Sequence, residues 1–343
     1  MSTKTRILLI YTGGTIGMVQ DHRDGLLHPF GFETLLENIP ELRRFDVDIK
    51  TIQLSRIIDS SDMEPAIWQE LMDRIQEQYD EFDGFVILHG TDTLAFTASA
   101  LSFMIQGLDK PIVLTGSQLP IGTIRTDGKE NLITAIEVAA TKAADKAMVP
   151  EVSVYFEYTL LRGNRVTKYS AEHFDAFHSP NYPELAEAGI QIVYNEPYIL
   201  ESCSAGPKFF REMDSRIAVL KLFPGIDPEL VRSILFCGAK GLIMETYGAG
   251  NAPRAPWFID LLMEAIADGL IILNVTQCLS GTVQHGRYAT SGRFDEIGVI
   301  SGKDIRFEAA VCKMMHALGQ SEDPIEVKKI LKSVIAGEMT EVK

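Results

Sequence analysis

Two rhythms of hydrophobic and polar positions alternate along the chain. Short unbroken apolar runs at residues 7–10, 85–88, 111–114 and 152–156 read as buried strands, because branched and aromatic residues follow one another without polar alternation. Residues 47–54 alternate apolar with polar, as a half-buried strand does. Helical spacing predicts helices at 32–38, 65–79, 94–105 and 131–141. Pro65 fits the first turn of the second helix, with Asp62 placed to cap its amino end. Residues 157–168 continue the strand at 152–156 through a short hairpin.

From 191 to 214 the rhythm lapses and Pro197, Gly206 and Pro207 gather, which marks a linker. A second alternation follows, with strands at 217–222, 241–245 and 270–275 and helices at 228–236, 256–267, 304–318 and 324–337. Strands alternating with helices predict an α/β fold with a parallel sheet in each half. A length of 343 residues lets two domains each bury a core. The expected division is an amino-terminal domain at 1–192, a linker at 193–214 and a smaller carboxyl-terminal domain at 215–343.

Composition narrows the function by exclusion. With 46% hydrophobic and 23% charged residues the chain is of the soluble globular class. A net charge of −15 argues against nucleic acid or an anionic membrane as partner, since both repel an acidic surface. No stretch approaches the ~20 apolar residues of a membrane helix, and the run at 7–10 is too short for a secretory core, so a cytoplasmic location is expected. Cys203, Cys237, Cys278 and Cys312 are far apart and form no CxxC pair, so they read as packed thiols rather than zinc ligands or a disulfide framework. The seven histidines do not cluster at ligand spacing, and no metal or other cofactor is implied. There is no GxxxxGK[ST] loop, no GxSxG elbow and no HExxH helix.

The chemistry gathers where the buried strands end. YTGGTIGM at 11–18 follows the first strand, and three readings of it compete. As a dinucleotide fingerprint it lacks the first glycine, at Thr12. As a structural turn it needs no function. As a nucleophile at a strand end, a threonine hydroxyl requires partners to take its proton. Those partners appear in order: DSSDM at 59–63, HGTDT at 89–93 and RGNRVTK at 162–168. Taken singly, the first two are ordinary helix caps and Lys168 an ordinary solvated side chain.

Together, in this order and spacing, the four motifs resemble the signature of the asparaginase and glutaminase family, in its cytoplasmic type I bacterial branch. The resemblance runs over nearly the whole chain, through TGSQ at 115–118 and GAGNAP at 248–253. It implies an asparaginase-like two-domain α/β fold with the active site in the larger, mixed or parallel amino-terminal domain. The implied activity is hydrolysis of the side-chain amide of L-asparagine to L-aspartate and ammonia, without a cofactor, by a homodimer or homotetramer. Thr15 would be the nucleophile that forms an acyl ester, with Thr91, Asp92 and Lys168 as a second constellation. A threonine between a carboxylate and a lysine can relay a proton to or from water; a reading that gives Thr91 more direct work stays open. Gly14, Ser60, Ser61, Asp62, Gly90, Thr91 and Asp92 would contact the substrate.

Two departures from the family pattern matter. Many relatives carry a tyrosine in the loop after the first motif, whereas residues 19–29 have none, and Leu26 or Leu27 stands near its place. Tyr288 in GRYATS is the candidate substitute, and the loop itself is a candidate lid. Some type I relatives also bind asparagine at a second site near NVTQC. Thr276, Gln277 and Cys278 match that stretch, but Glu245 stands where an arginine would hold the effector's carboxylate, and would repel it. The rival functions are a catalytically weak amino-acid-binding protein on the same scaffold, an amidotransferase subunit, and a nucleotide-binding protein.

Overall fold

The computed structural model describes residues 4–20, 27–29, 39–286 and 292–341. The helix expected at 32–38 lies outside these residues. The chain divides into two compact units, Met1–Phe209 and Phe210–Lys343.

The first unit runs β1 (Thr5–Gly13), β2 (Val47–Ile58), α1 (Pro65–Gln78), β3 (Gly84–Leu88), α2 (Leu94–Met104), β4 (Ile112–Thr115), α3 (Gly128–Ala140), β5 (Val152–Phe156), β6 (Thr159–Arg162), β7 (Ala186–Ala188) and β8 (Ile192–Tyr194). Its main sheet has the order β8-β7-β6-β5-β4-β3-β1-β2. Neighbours from β2 to β5 are parallel, and those from β5 to β8 antiparallel. The apolar runs are buried as their composition requires: Ile7, Leu8, Leu9 and Ile10 are 0% exposed. On one face Ile7, Leu9, Val86, Leu88 and Val113 pack on Leu132, Ala135, Ile136 and Ala139 of α3. Each valine, leucine and isoleucine among them contributes roughly 1.5–3 kcal/mol by leaving water. The hairpin between β5 and β6 closes on Glu157 and Tyr158, both at positive φ, the left-handed pair that suits a two-residue turn between twisted strands.

The parallel part has the strand order 2-1-3-4-5. The chain reverses its direction of travel across the sheet between β1 and β3, which leaves a crevice at the carboxyl ends of those two strands.

One capping expectation is corrected. Asp62 lies in a 3₁₀ turn, Ser60–Asp62, and α1 starts after Glu64 with no side-chain cap. Asp59 caps the 3₁₀ turn, accepting from the Ser61 N–H at 2.9 Å. Pro65 opens α1 without an N–H, so one donor fewer needs a partner there.

The second unit contains β9 (Ile217–Lys221), α4 (Pro228–Leu235), β10 (Gly241–Thr246), α5 (Pro256–Ala267), β11 (Ile271–Thr276), α6 (Gly292–Ile297), β12 (Ile300–Ser301), α7 (Phe307–Gln320) and α8 (Pro324–Lys332). Its sheet, β9-β10-β11-β12, is parallel throughout. Leu242, Met244 and Ile272 form its core with Phe258 and Leu262 of α5. The last helix ends at Lys332, short of the expected 337, because the chain after it turns back toward α7. There Glu338 accepts from the N–H groups of Ile335 and Ala336, while Lys313 donates to Glu338 at 2.6 Å and to the carbonyls of Leu331 and Ser333. Cys312 is buried and Cys203 half-buried, but Cys237 and Cys278 are exposed, so the packed-thiol reading fails for those two; all four are free thiols. No helix among the described residues is long and apolar enough to cross a membrane.

Lys313 and Glu338 are both 0% exposed. Removing one partner leaves a buried charge unmatched, so we expect Lys313→Met to destabilise the protein by about 3–5 kcal/mol, with Lys313→Met/Glu338→Gln recovering part of the loss, because the neutral amide removes the charge and keeps an acceptor for the Ile335 and Ala336 N–H groups. Urea denaturation of both variants against the wild type checks this.

Candidate active site

The loops after β1, β2 and β3 meet because glycine allows their backbones to touch. Gly14 has φ 89° and ψ 173°, a region open essentially to glycine alone. A Cβ there would lie 2.4 Å from the Gly90 Cα, and one on Gly90 would lie 2.5 Å from the Ser60 Oγ. Thr15 then heads a short 3₁₀ turn, Thr15–Gly17, closed by the Gly17 N–H on the Gly14 carbonyl at 3.2 Å. Thr12 ties the two strands together by donating to the Leu88 carbonyl at 2.9 Å. Thr15 and Thr91 therefore follow the ends of adjacent parallel strands, paired as far as Tyr11 and Leu88.

The loop after β3 holds the charged part of the site. Lys168, on a short strand at Thr167–Lys168, donates to the Asp92 carboxylate at 2.7 Å and to the Thr91 Oγ1 at 2.9 Å. Thr91 is buried, whereas the Asp92 side chain is 65% exposed and faces solvent. On the β2 side Ser60 is buried and its carbonyl accepts from the Thr93 hydroxyl at 2.6 Å. Ser61 and Asp62 sit on the same turn, exposed, with the Ser61 hydroxyl committed to Asp59 at 2.9 Å.

Two supporting side chains had no role assigned from sequence. His89 is buried at the end of an apolar strand, its Nδ1 2.7 Å from the Gly90 carbonyl and its Nε2 2.8 Å from the Thr97 hydroxyl. Trp68 Nε1 also meets that hydroxyl at 2.9 Å. The roles follow by elimination: the indole only donates and the carbonyl only accepts, so Thr97 donates to Nε2 and Nδ1–H donates to Gly90. The imidazole is neutral, and burial pushes its pKa down to about 4. The second is Gln118, after β4. Its Oε1 accepts from the Thr91 hydroxyl at 3.1 Å and its Nε2 donates to the His173 carbonyl at 3.0 Å. Asp127 fixes the turn beneath it, accepting from the N–H groups of Gln118 and Leu119 at 2.9 and 3.1 Å and from Asn131 at 3.2 Å. The available signals were TGSQ, which closes a buried strand as the other motifs do, and the histidine next to Gly90.

The structure thus brings Gly14, Thr15, Ser60, Gly90, Thr91, Asp92 and Lys168 to one end of one sheet, with Ser61 and Asp62 on its solvent side. Tyr288 and residues 21–26 of the candidate lid lie outside the described residues. In the second unit the Glu245 carboxylate faces Lys221 at 3.7 Å, and Gln277 donates to the carbonyls of Leu222 and Glu245. Among the described residues no group of three or more His, Cys, Asp or Glu could hold a metal ion. What the first-unit site offers is a hydroxyl on a sharp turn, a hydroxyl–ammonium–carboxylate set beside it, and polar groups on the third loop.

His89 also makes stability depend on pH. Unfolded, it titrates near 6.5; folded, at about 4. Between those values the unfolded chain binds a proton that the folded chain does not, so stability is intact above about pH 6.5 and falls as the pH drops toward 4. The loss at full extent is about 3 kcal/mol. His316 of the second unit, also pushed to about 4 by burial, adds a loss in the same window. We expect His89→Asn to show roughly half the wild-type pH dependence in urea denaturation at about pH 7 and about pH 4.5. An undiminished dependence would count against a neutral, buried His89.

Comparisons with known proteins agree with this fold. A family model described as "Asparaginase, N-terminal" matches residues 6–200, and one described as "Glutaminase/Asparaginase C-terminal domain" matches residues 216–331. The chain is 41% identical to L-asparaginase 1 of Escherichia coli over 98% of each chain. Its structure is similar to that of L-asparaginase I from Vibrio cholerae, with a TM-score of 0.90, 41% identity and coverage of 99% of this chain and 100% of the other. It is also similar to the thermostable L-asparaginase from Thermococcus kodakarensis, with a TM-score of 0.91, 34% identity and coverage of 98% and 100%.

Proposed function

Because the chain belongs to the asparaginase family, we infer that it hydrolyses the side-chain amide of L-asparagine to L-aspartate and ammonia. The observation that carries the reading is the Lys168–Thr91–Asp92 set at the crevice where Thr15 follows the neighbouring strand. A nucleophile and a proton-handling group at adjacent strand ends are the two parts that amide cleavage through an acyl-enzyme requires.

In the proposed sequence the Thr15 oxygen attacks the side-chain carbonyl carbon while its proton leaves for a base. The tetrahedral intermediate collapses, and the amide nitrogen departs as ammonia with a proton returned to it. Water then attacks the Thr15 ester, releasing aspartate and restoring the hydroxyl. The substrate is a zwitterion, which suits the placement of unlike groups on the two flanking loops. Asp92, exposed toward solvent, is the partner for its α-ammonium. Ser60 and Ser61, with Asp62, Gly14 and Gly90 beside them, are the partners for its α-carboxylate, Ser61 by turning its hydroxyl from Asp59 to the substrate. Tyr288 is the proposed stand-in for the tyrosine missing from the 19–29 loop. Assembly as a homodimer or homotetramer and a cytoplasmic location are parts of the same proposal, supported by the family branch. Glu245 argues against an effector carboxylate near NVTQC.

Ammonia release from L-asparagine and L-glutamine by the wild type, Thr15→Ala and Lys168→Met tests the proposal. We expect asparagine to be preferred, Thr15→Ala to lose at least about 10³-fold in kcat, and Lys168→Met to lose roughly 10²- to 10⁴-fold, with folding unchanged by circular dichroism. A wild type that releases no ammonia but is stabilised by aspartate would make the chain a binding protein on this scaffold.

A further inference from the structure

We propose that Gln118 is a positioning residue that sets the direction of the Thr91 hydroxyl. The assignment deepens the asparaginase reading and rests on it for its catalytic meaning. The polarity of the chain of bonds is determined at both ends. The His173 carbonyl can only accept, so the amide nitrogen of Gln118 faces it at 3.0 Å and the amide oxygen faces Thr91 at 3.1 Å. That oxygen can only accept, so the Thr91 proton points to it. Lys168 approaches the same hydroxyl at 2.9 Å as a donor. Thr91 is therefore held with its proton turned to Gln118 and a lone pair facing Lys168.

The consequence is chemical. An amide oxygen is far too weak a base to keep the Thr91 proton, so Gln118 orients Thr91 without deprotonating it. In the resting site Thr91 accepts hydrogen bonds and does not give its proton to Lys168. A relay through Thr91 to Lys168 requires the hydroxyl to swing off Gln118 and Lys168 to be neutral when it does. The backbone beneath Gln118 is clamped by Asp127 at two N–H groups, which keeps the carboxamide in register with Thr91.

The test uses Gln118→Met, which keeps the length and removes the acceptor, and Gln118→Glu, which keeps an acceptor for Thr91, gives up the donor to the His173 carbonyl and adds a negative charge two hydrogen bonds from the ammonium. Three quantities are read: ammonia release against pH, the affinity for L-aspartate, and the ¹³Cε signal of Lys168 followed against pH without substrate. We expect Gln118→Met to lower kcat about ten- to a hundredfold, with aspartate affinity within about twofold. We expect Gln118→Glu to retain more activity than Gln118→Met, while its Lys168 signal and the matching limb of the rate profile move to higher pH, because the added charge favours the ammonium. A Lys168 titration unmoved in Gln118→Glu, or losses in kcat that only track losses in melting temperature, would overturn the assignment. A wild type inactive on asparagine would sink the asparaginase reading alone, since the Lys168 titration still decides whether Gln118 is coupled to it.

Discussion

The site depends on one steric constraint, the backbone-to-backbone approach of Gly14 and Gly90. With any side chain at Gly14, a Cβ would sit 2.4 Å from a backbone carbon of the β3 loop, and the two strand ends would be forced apart. Such a contact has no flexible atom to yield, and the φ of 89° at Gly14 adds a second barrier to replacement. The strand order puts these ends side by side at the reversal of the sheet. The glycines then let the loops close on each other, and Thr15, Thr91 and Ser60 come within one crevice as a result.

Around that contact lies a shell of neutral polar groups whose donors and acceptors are matched. Trp68, Thr97 and His89 run in one line to the Gly90 carbonyl. Asn131 reaches the Gly116 carbonyl, and its own carbonyl accepts from the Glu157 N–H, so α3 braces both β4 and the β5 hairpin. In a low-dielectric interior an unmatched member of such a network costs more than a made bond contributes. The network therefore acts on geometry: it leaves each loop with a single arrangement in which all partners are satisfied.

Much of this was legible in the sequence, for identifiable reasons. Strands buried on both faces write themselves as unbroken apolar runs, and loops with special backbone demands write themselves as glycine beside hydroxyl. Hence β1, β3, β4 and β5 and the motifs at their ends were found. Side-chain direction is not written that way. DSSDM places two aspartates before the helix at Pro65, and only the backbone conformation decides that a 3₁₀ turn intervenes, which Asp59 caps and in which Asp62 lies. Gln118 gains its meaning from which end of its amide faces Thr91, and composition is silent on that. The strands β7 and β8, of three residues each, are too short to show alternation, and β8 lay in a stretch read as aperiodic.

Two lysine–carboxylate pairs in this chain show how burial separates a structural ion pair from a chemical one. Lys313–Glu338 at 2.6 Å and Lys168–Asp92 at 2.7 Å have nearly the same length. The first is wholly out of water, so its charges can be tolerated only together, and it locks the carboxyl-terminal tail to α7. The second has a carboxylate 65% exposed, and a pair of that kind contributes roughly 0–1 kcal/mol to folding. Stability cannot be the reason for its geometry. What exposure does allow is exchange: Asp92 can turn to a ligand's ammonium, and Lys168 stays bonded to Thr91 when it does. The ammonium then lies between a hydroxyl of fixed direction and a carboxylate that the substrate can claim. Substrate binding would thereby change the charge balance on Lys168 at the moment its proton affinity matters.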